Sequence, residues 1–365
     1  MSSRIPISGI GIVAPGAIGV DAFRALLRSG QTAIQPVDRF DTNGLNAHEA
    51  GLVRDFSPKD FIAPMKMRRM NMLSRLALSA AKLALRDAGI DALDPATGVA
   101  LGTAFGPVQT SVDYMQEYVE KGAALAPPQL FAESVANAPG SHIAIELGLR
   151  GFNVTITQRE SSALAAAMYA SSQIVKGMAP AALIGGVEEV NEMIFSVLDR
   201  VGALRASGGG SGIAIGEGSA VLVAGASGAH PSKIYGYLSG FGIARDTTAS
   251  ISDWGHDSKA VVTAMAGAID DAGIRRADID AIYSSANGNE RGDRLEAEAL
   301  GSLFGDSLPQ VVATKSFFGE YAAGGALQLA AALVDLGERD LRHALVNSLS
   351  AGGGIVCAVV SRERG

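Results

Sequence analysis

The most constraining stretch of this chain is residues 151–176, GFNVTITQRESSALAAAMYASSQIVK. The β-branched alternation at 153–157 predicts a short strand, and residues 161–176 predict a helix of small residues almost without charge. A helix with no polar face must be covered on all sides, which predicts a central position close to other backbones. Between strand and helix, Gln158, Arg159 and Glu160 form a tight turn. The N–H groups and positive potential of a helix start suit an anion, which makes Glu160, read as the first helical residue, a candidate functional position.

A second constraint is repetition. LALRDAGIDA in the first half recurs as GAIDDAGIRR, matching Asp87 to Asp271, and the pattern of strand, small-residue helix and strand returns from Glu320. This predicts a duplicated α/β unit that buries two apolar helices between two sheets, both helix starts lying near one pseudo-dyad. The halves are read as residues 1–230 and 231–365. Elsewhere, helices are expected at 70–88 and 131–147, the latter interrupted near Pro139. Gly9 and Gly11 give a G-x-G without the third glycine of a dinucleotide-binding loop.

Composition removes several classes of function. A net charge of −7 argues against general nucleic-acid binding. The single cysteine, Cys357, excludes an intrachain disulfide and a cysteine-based zinc cluster, and its apolar strand suits a buried structural thiol. No apolar run reaches the roughly 18 residues of a membrane helix. The reading is a soluble cytoplasmic protein with no cofactor and no metal. Lys66, Arg68 and Arg69 form a basic cluster that reads either as a solvated helix start or as a dock for an acidic carrier.

From end to end the chain resembles a β-ketoacyl synthase of the thiolase superfamily. The resemblance rests on SGIGIVAPGAIGVDAFRALLRSGQTAIQPVDRFDT, GLRGFNVTIT, GGVEEV, GEGSAVLV, ATKSFFGE and NSLSAGGG, in that order. It implies a five-layered αβαβα fold and an obligate dimer. An active member of this type uses a cysteine to accept an acyl chain from a carrier protein and two histidines to assist decarboxylation of malonyl-carrier. At the matching positions this chain has Glu160, Asn287 and Glu320, while the motif lysine remains as Lys315. The gating loop, Phe-Gly-Phe in the family, reads Leu349-Ser350-Ala351, and RASGGGSG abbreviates a longer Arg-Pro-Phe-Asp-like segment.

Three readings follow from the resemblance. The first is a non-catalytic partner similar to a chain-length factor, paired with a catalytic β-ketoacyl synthase and an acyl carrier protein in polyketide, polyene or fatty-acid-type elongation. Chain-length factors typically carry glutamine at the nucleophile position, so a glutamate is expected instead to close the pocket through an ion pair or hydrogen bond, with Arg159 or Lys315 as candidate partners. The second is a hydrolase or decarboxylase in which Glu160 and Glu320 form an acid/base pair, or hold a metal with further ligands. The third is a self-dimer that binds an acyl chain or carrier.

Overall fold

Ten strands carry the fold, and the two sets of five repeat one order. The first set is β1 (Ile5–Ala14), β2 (Gly98–Gly102), β3 (Asn153–Ile156), β4 (Ala181–Glu188) and β5 (Gly218–Gly225). The second is β6 (Gly236–Arg245), β7 (Ala281–Tyr283), β8 (Gln310–Val312), β9 (His343–Leu349) and β10 (Gly354–Ser361). Spatial order is β3-β2-β4-β5-β1 in one sheet and β8-β7-β9-β10-β6 in the other. In both, the strand second in sequence is flanked by parallel neighbours and the remaining pairs are antiparallel. The sheets meet where β1 and β6 pair antiparallel, Ile5 opposite Leu238 and Ile7 opposite Gly236. The computed structural model describes residues 4–225, 233–251, 253–320 and 324–362; the expected boundary at 230/231 lies outside them.

Side-chain alternation divides the molecule into layers. On β5, Ala220, Leu222 and Ala224 face a central core, while Val221 and Val223 face the outer helix α1 (Met72–Ala88). The central core joins both sheets through two apolar helices, α2 (Ser162–Val175) and α5 (Gly325–Glu338). Beyond the second sheet lie α3 (Ser258–Ala272) and α4 (Glu290–Phe304). The result is the expected five layers, αβαβα. Small residues make it possible: a Cβ at Gly325 would lie 2.2 Å from Leu164, and one at Gly102 2.4 Å from the Ala163 nitrogen.

The G-x-G of β1 serves the same packing. A Cβ at Gly9 or Gly11 would stand 2.2 or 1.8 Å from the carbonyls of Ala84 and Ala80, so these glycines let α1 lie directly on the strand. Gly240 and Gly242 do the same under Ala268 and Ala264 of α3. The repeated aspartates close each copy: Asp87 accepts the Ile10 N–H at 2.9 Å, and Asp271 the Phe241 N–H at 2.9 Å.

Two local expectations are corrected, and a third, the interruption near Pro139, holds with shifted bounds. The helix expected over 131–147 is two, Pro128–Glu133 and Ala138–Leu147, with Pro139 in the first turn of the second, where its missing N–H costs nothing. Glu160 is not the first residue of α2 but the middle of a 3-10 turn, Arg159–Ser161, ahead of it. Nor does the second central helix begin at Glu320. Gly319 takes φ +88° and Glu320 is extended, its N–H donating to the Ala214 carbonyl at 2.7 Å and its own carbonyl accepting from Gly216 at 2.6 Å.

Candidate functional site, a buried carboxyl cluster

The turn that carries Glu160 is held by its own serines. Ser162 Oγ donates to the Arg159 carbonyl at 2.5 Å and accepts from the Gln158 N–H at 2.7 Å. Arg159 adopts φ +51°, the left-handed region that costs a non-glycine residue about 1 kcal/mol, so the turn is imposed by its surroundings. This bend aims Glu160 inward, where it is 6% exposed. Its Oε2 accepts the Ala351 N–H at 3.1 Å, and its own main-chain N–H also supports the carboxylate.

Glu320 comes to the same place from the other half. Its Oε2 accepts from Lys315 Nζ at 2.5 Å and from Asn287 Nδ2 at 2.8 Å, while Oε1 is buried with no hydrogen-bond partner among the described residues. Lys315 also donates to the Ser285 carbonyl at 3.1 Å. Asn287 is fixed from behind: its N–H donates to Asp293, and its Oδ1 accepts the Asn289 N–H. A third acid, Glu296, accepts from Ser284 Oγ at 2.6 Å, Asn347 Nδ2 at 2.8 Å and the Ser285 N–H at 3.0 Å.

One ammonium therefore serves three buried carboxyls. Burial pushes Glu160 up to about 7, with the charge of Glu320 adding to the rise and Glu160's own N–H, Arg159 and Lys315 opposing it. Burial raises Glu320 as well, against the Lys315 charge and the hydrogen bonds from Lys315 and Asn287. Glu296 is raised for the same reason. Desolvation outweighs the favourable potential of a helix start, which is worth only about 0.3–1 kcal/mol. Near neutral pH Glu160 is thus divided between carboxylic acid and carboxylate, and a protonated Glu160 is a donor inside the site.

The sequence-predicted residues divide accordingly. Glu160, Glu320, Asn287 and Lys315 converge, joined by Leu349, Ser350 and Ala351, all three buried. Among the described residues, neither expected partner, Arg159 or Lys315, pairs with Glu160. Lys315 is taken by Glu320, and Arg159 turns outward to donate to the Ile251 carbonyl at 2.8 Å. Cys357 is fully buried on β10, and burial pushes its thiol well above the ordinary range. Arg68 and Arg69 line a surface cavity of about 550 Å³ together with Arg75, Glu133 and Glu189, whereas Lys66 pairs with Glu146 at 2.6 Å. Among the described residues, no group of three or more His, Cys, Asp or Glu is placed to hold a metal ion, and no helix is long and apolar enough to cross a membrane.

Glu296 was missed in the sequence, although a signal exists: it falls in phase with Leu295, Ala299, Leu300 and Leu303 on the buried face of α4. The serines at 161 and 348 were missed too, because their partners lie about half a chain away.

Two duplicated sheets enclosing paired helices, with the site at the turns ahead of those helices, define a thiolase-like ketosynthase fold. The model of the β-ketoacyl synthase N-terminal domain matches residues 2–229, and that of the C-terminal domain matches 235–345. The chain belongs to the β-ketoacyl synthase family. It is 28% identical over 360 residues to the tetracenomycin polyketide synthase ketoacyl synthase beta subunit of Streptomyces glaucescens, covering 92% of this chain and 87% of that one. It is 25% identical over 343 residues to 3-oxoacyl-[acyl-carrier-protein] synthase 2 of Vibrio cholerae serotype O1, covering 87% and 81%. The solved ishigamide ketosynthase/chain length factor matches with a TM-score of 0.90 at 23% identity over 100% of both chains. A β-ketoacyl synthase from Burkholderia phymatum STM815 matches at 0.88 and 22%, over 99% of this chain and 100% of that one. These two likenesses show the shared fold.

Proposed function

We propose that this chain is a non-condensing, chain-length-factor-like subunit that pairs with a catalytic β-ketoacyl synthase and works on carrier-bound acyl chains. The observation that carries the reading is the buried cluster. Where the family resemblance places a thiolate and two imidazoles, the chain has Glu160, Asn287 and Glu320. A carboxylate accepts an acyl group only as a mixed anhydride, which water cleaves readily, so it suits neither storage nor transfer of a growing chain. Glu320, clamped by Lys315 and Asn287, presents acceptors where an enolate or oxyanion requires donors.

Assembly with a partner is supported by two surface features. Among the described residues, no strand pairs with the outer edge of β3, and an open edge is a template for another chain. The helix Val108–Lys121 and the segment after it expose Met115, Val119, Leu125 and Phe131, with Tyr114 and Phe131 rings 5.6 Å apart. Such apolar exposure suits a large obligate interface, above about 2,000 Å². In this reading the cavity bordered by Arg68 and Arg69 receives the acidic carrier.

The test is coexpression with an intact ketosynthase of the same pathway. Stable copurification, loss of the complex in Val154→Lys, and product length that changes with this subunit are expected. A stable self-dimer that ignores the ketosynthase would overturn the reading. A second reading, an acid/base enzyme, is favoured only by the position of Glu160 near 7. It requires acyl-carrier hydrolysis or malonyl-carrier decarboxylation that falls by roughly 10² or more in Glu160→Gln.

A further inference from the structure

The turn between β9 and β10 has the composition of a mobile loop. Residues 352–354 are three consecutive glycines, and Gly352 and Gly353 take φ of +94° and +81°. Such segments usually open at low cost. Within 349–354, Ser350 is the only residue with a polar side chain, and all of its side-chain bonds lead out of the loop. Ser350 Oγ accepts the Ser161 N–H at 2.9 Å, lies 2.7 Å from Ser161 Oγ and 3.1 Å from the Gln158 carbonyl. Ser161 Oγ reaches that same carbonyl at 3.0 Å, so two hydroxyls and one carbonyl close a small ring across the two segments. Ser350 is 3% exposed.

Other bonds converge on this contact. Ala351 donates to Glu160, Ser348 Oγ donates to the Glu160 carbonyl at 3.0 Å, and Gly352 donates to the Asp253 carbonyl at 2.7 Å. The Asp246 main-chain N–H donates to the Gly353 carbonyl at 2.8 Å, and Arg159 ties its own turn to the Ile251 carbonyl. Three segments distant in sequence, around 158–162, 246–253 and 348–354, are thus fastened to each other, and Ser350 sits at the crossing of two of them. We propose that Ser350 is a latch that holds the 349–354 loop shut against the Glu160 turn, keeping the carboxyl cluster closed to water. The inference stands whether or not the chain has any chemistry of its own. It makes Ser350 a positioning residue, because it touches Glu160 only through the turn and the loop.

Hydrogen exchange of the full chain, followed by mass spectrometry at neutral pH, tests this. In the wild type, amides of 350–353 should exchange far more slowly than those of the glycine-rich loop 206–211; equal rates overturn the proposal without any variant. In Ser350→Ala and Ser350→Gly, exchange in the loop and in 158–162 should rise about tenfold, the effect of losing one buried hydrogen-bonded group, while β4 and β10 stay unchanged. Ser161→Ala keeps the main-chain donation to Ser350 and should give a smaller rise. A change within twofold, or a uniform acceleration of every segment, would show that Ser350 is no latch. Opening the loop also wets Glu160. The pH-dependent stability change produced by Glu160→Gln should therefore shrink to less than half when it is made in the Ser350→Ala background. An undiminished change contradicts the water-excluding role.

Discussion

Glu160→Gln separates the electrostatics of the cluster from its packing. Glu160 is held at about 7 rather than its ordinary 4.5. Below pH 4.5 the folded and unfolded chains both keep this proton. Between 4.5 and 7 the unfolded chain releases it and the folded chain retains it, so the contribution of Glu160 to stability falls as pH rises through this window and is gone above 7. The difference corresponds to about 3 kcal/mol. Glutamine has the same shape, and its oxygen can still accept the Ala351 N–H, but it cannot ionise or repel Glu320. Near pH 5 the two proteins should therefore unfold within about 1 kcal/mol of each other. At pH 8.5 the variant should be the more stable by about 3 kcal/mol, or about 4 °C in Tm for a chain of this length. Glu188, pushed by burial to about 8, and the raised Glu189, Glu296 and Glu320 also weaken the protein as pH rises. Glu188, Glu189 and Glu296 are common to both proteins and cancel in the difference, whereas the mutual repulsion of Glu160 and Glu320 is part of the difference being measured. Calorimetry of the pair from pH 5 to 8.5 checks it; parallel curves would mean that Glu160 is already ionised in the fold and that the desolvation argument is wrong.

Lys315→Met should cost about 3–5 kcal/mol at pH 8, because it leaves Glu320 buried without its cation. Denaturant unfolding should show a smaller loss at acidic pH, because burial raises Glu320 and favours its neutral form once the cation is gone. Gly242→Ala should destabilise by more than about 3 kcal/mol or abolish soluble expression, since the new Cβ would stand 1.9 Å from the Ala264 carbonyl. Gly301→Ala, on an open face of α4 with nothing within 4 Å, should instead stabilise by up to about 1 kcal/mol in the same assay.

The duplication was legible because it is written in short local patterns. The DAG repeat marks two aspartates that perform the same task, and an uncharged alanine-rich helix has no stable place except between layers. The meaning of the G-x-G was not legible. Its two glycines are defined by the carbonyls of a helix some seventy residues on, and no motif records that contact. The four positions of the site were readable as a set, but their chemistry was not. Whether Glu160 meets a cation, a main-chain N–H or another acid depends on where the arginine beside it points, and Arg159 points away because the loop at 251 offers a carbonyl. The start of the helix after Glu320 was misplaced for a similar reason. A helix-favouring composition gave way to a bridge with Ile215 that pulls Glu320 into extended backbone.

The central claim is that the cluster takes no acyl group and supports no condensation. Its most direct test is the intact mass of the purified protein after incubation with an acyl-carrier thioester, followed by addition of malonyl-carrier. The account predicts an unchanged mass and no extended product, also for Glu160→Cys alone, because Asn287 and Glu320 remain in place. A stable acyl adduct on Glu160 or Cys357 in the wild-type chain, or elongation by Glu160→Cys, would contradict it.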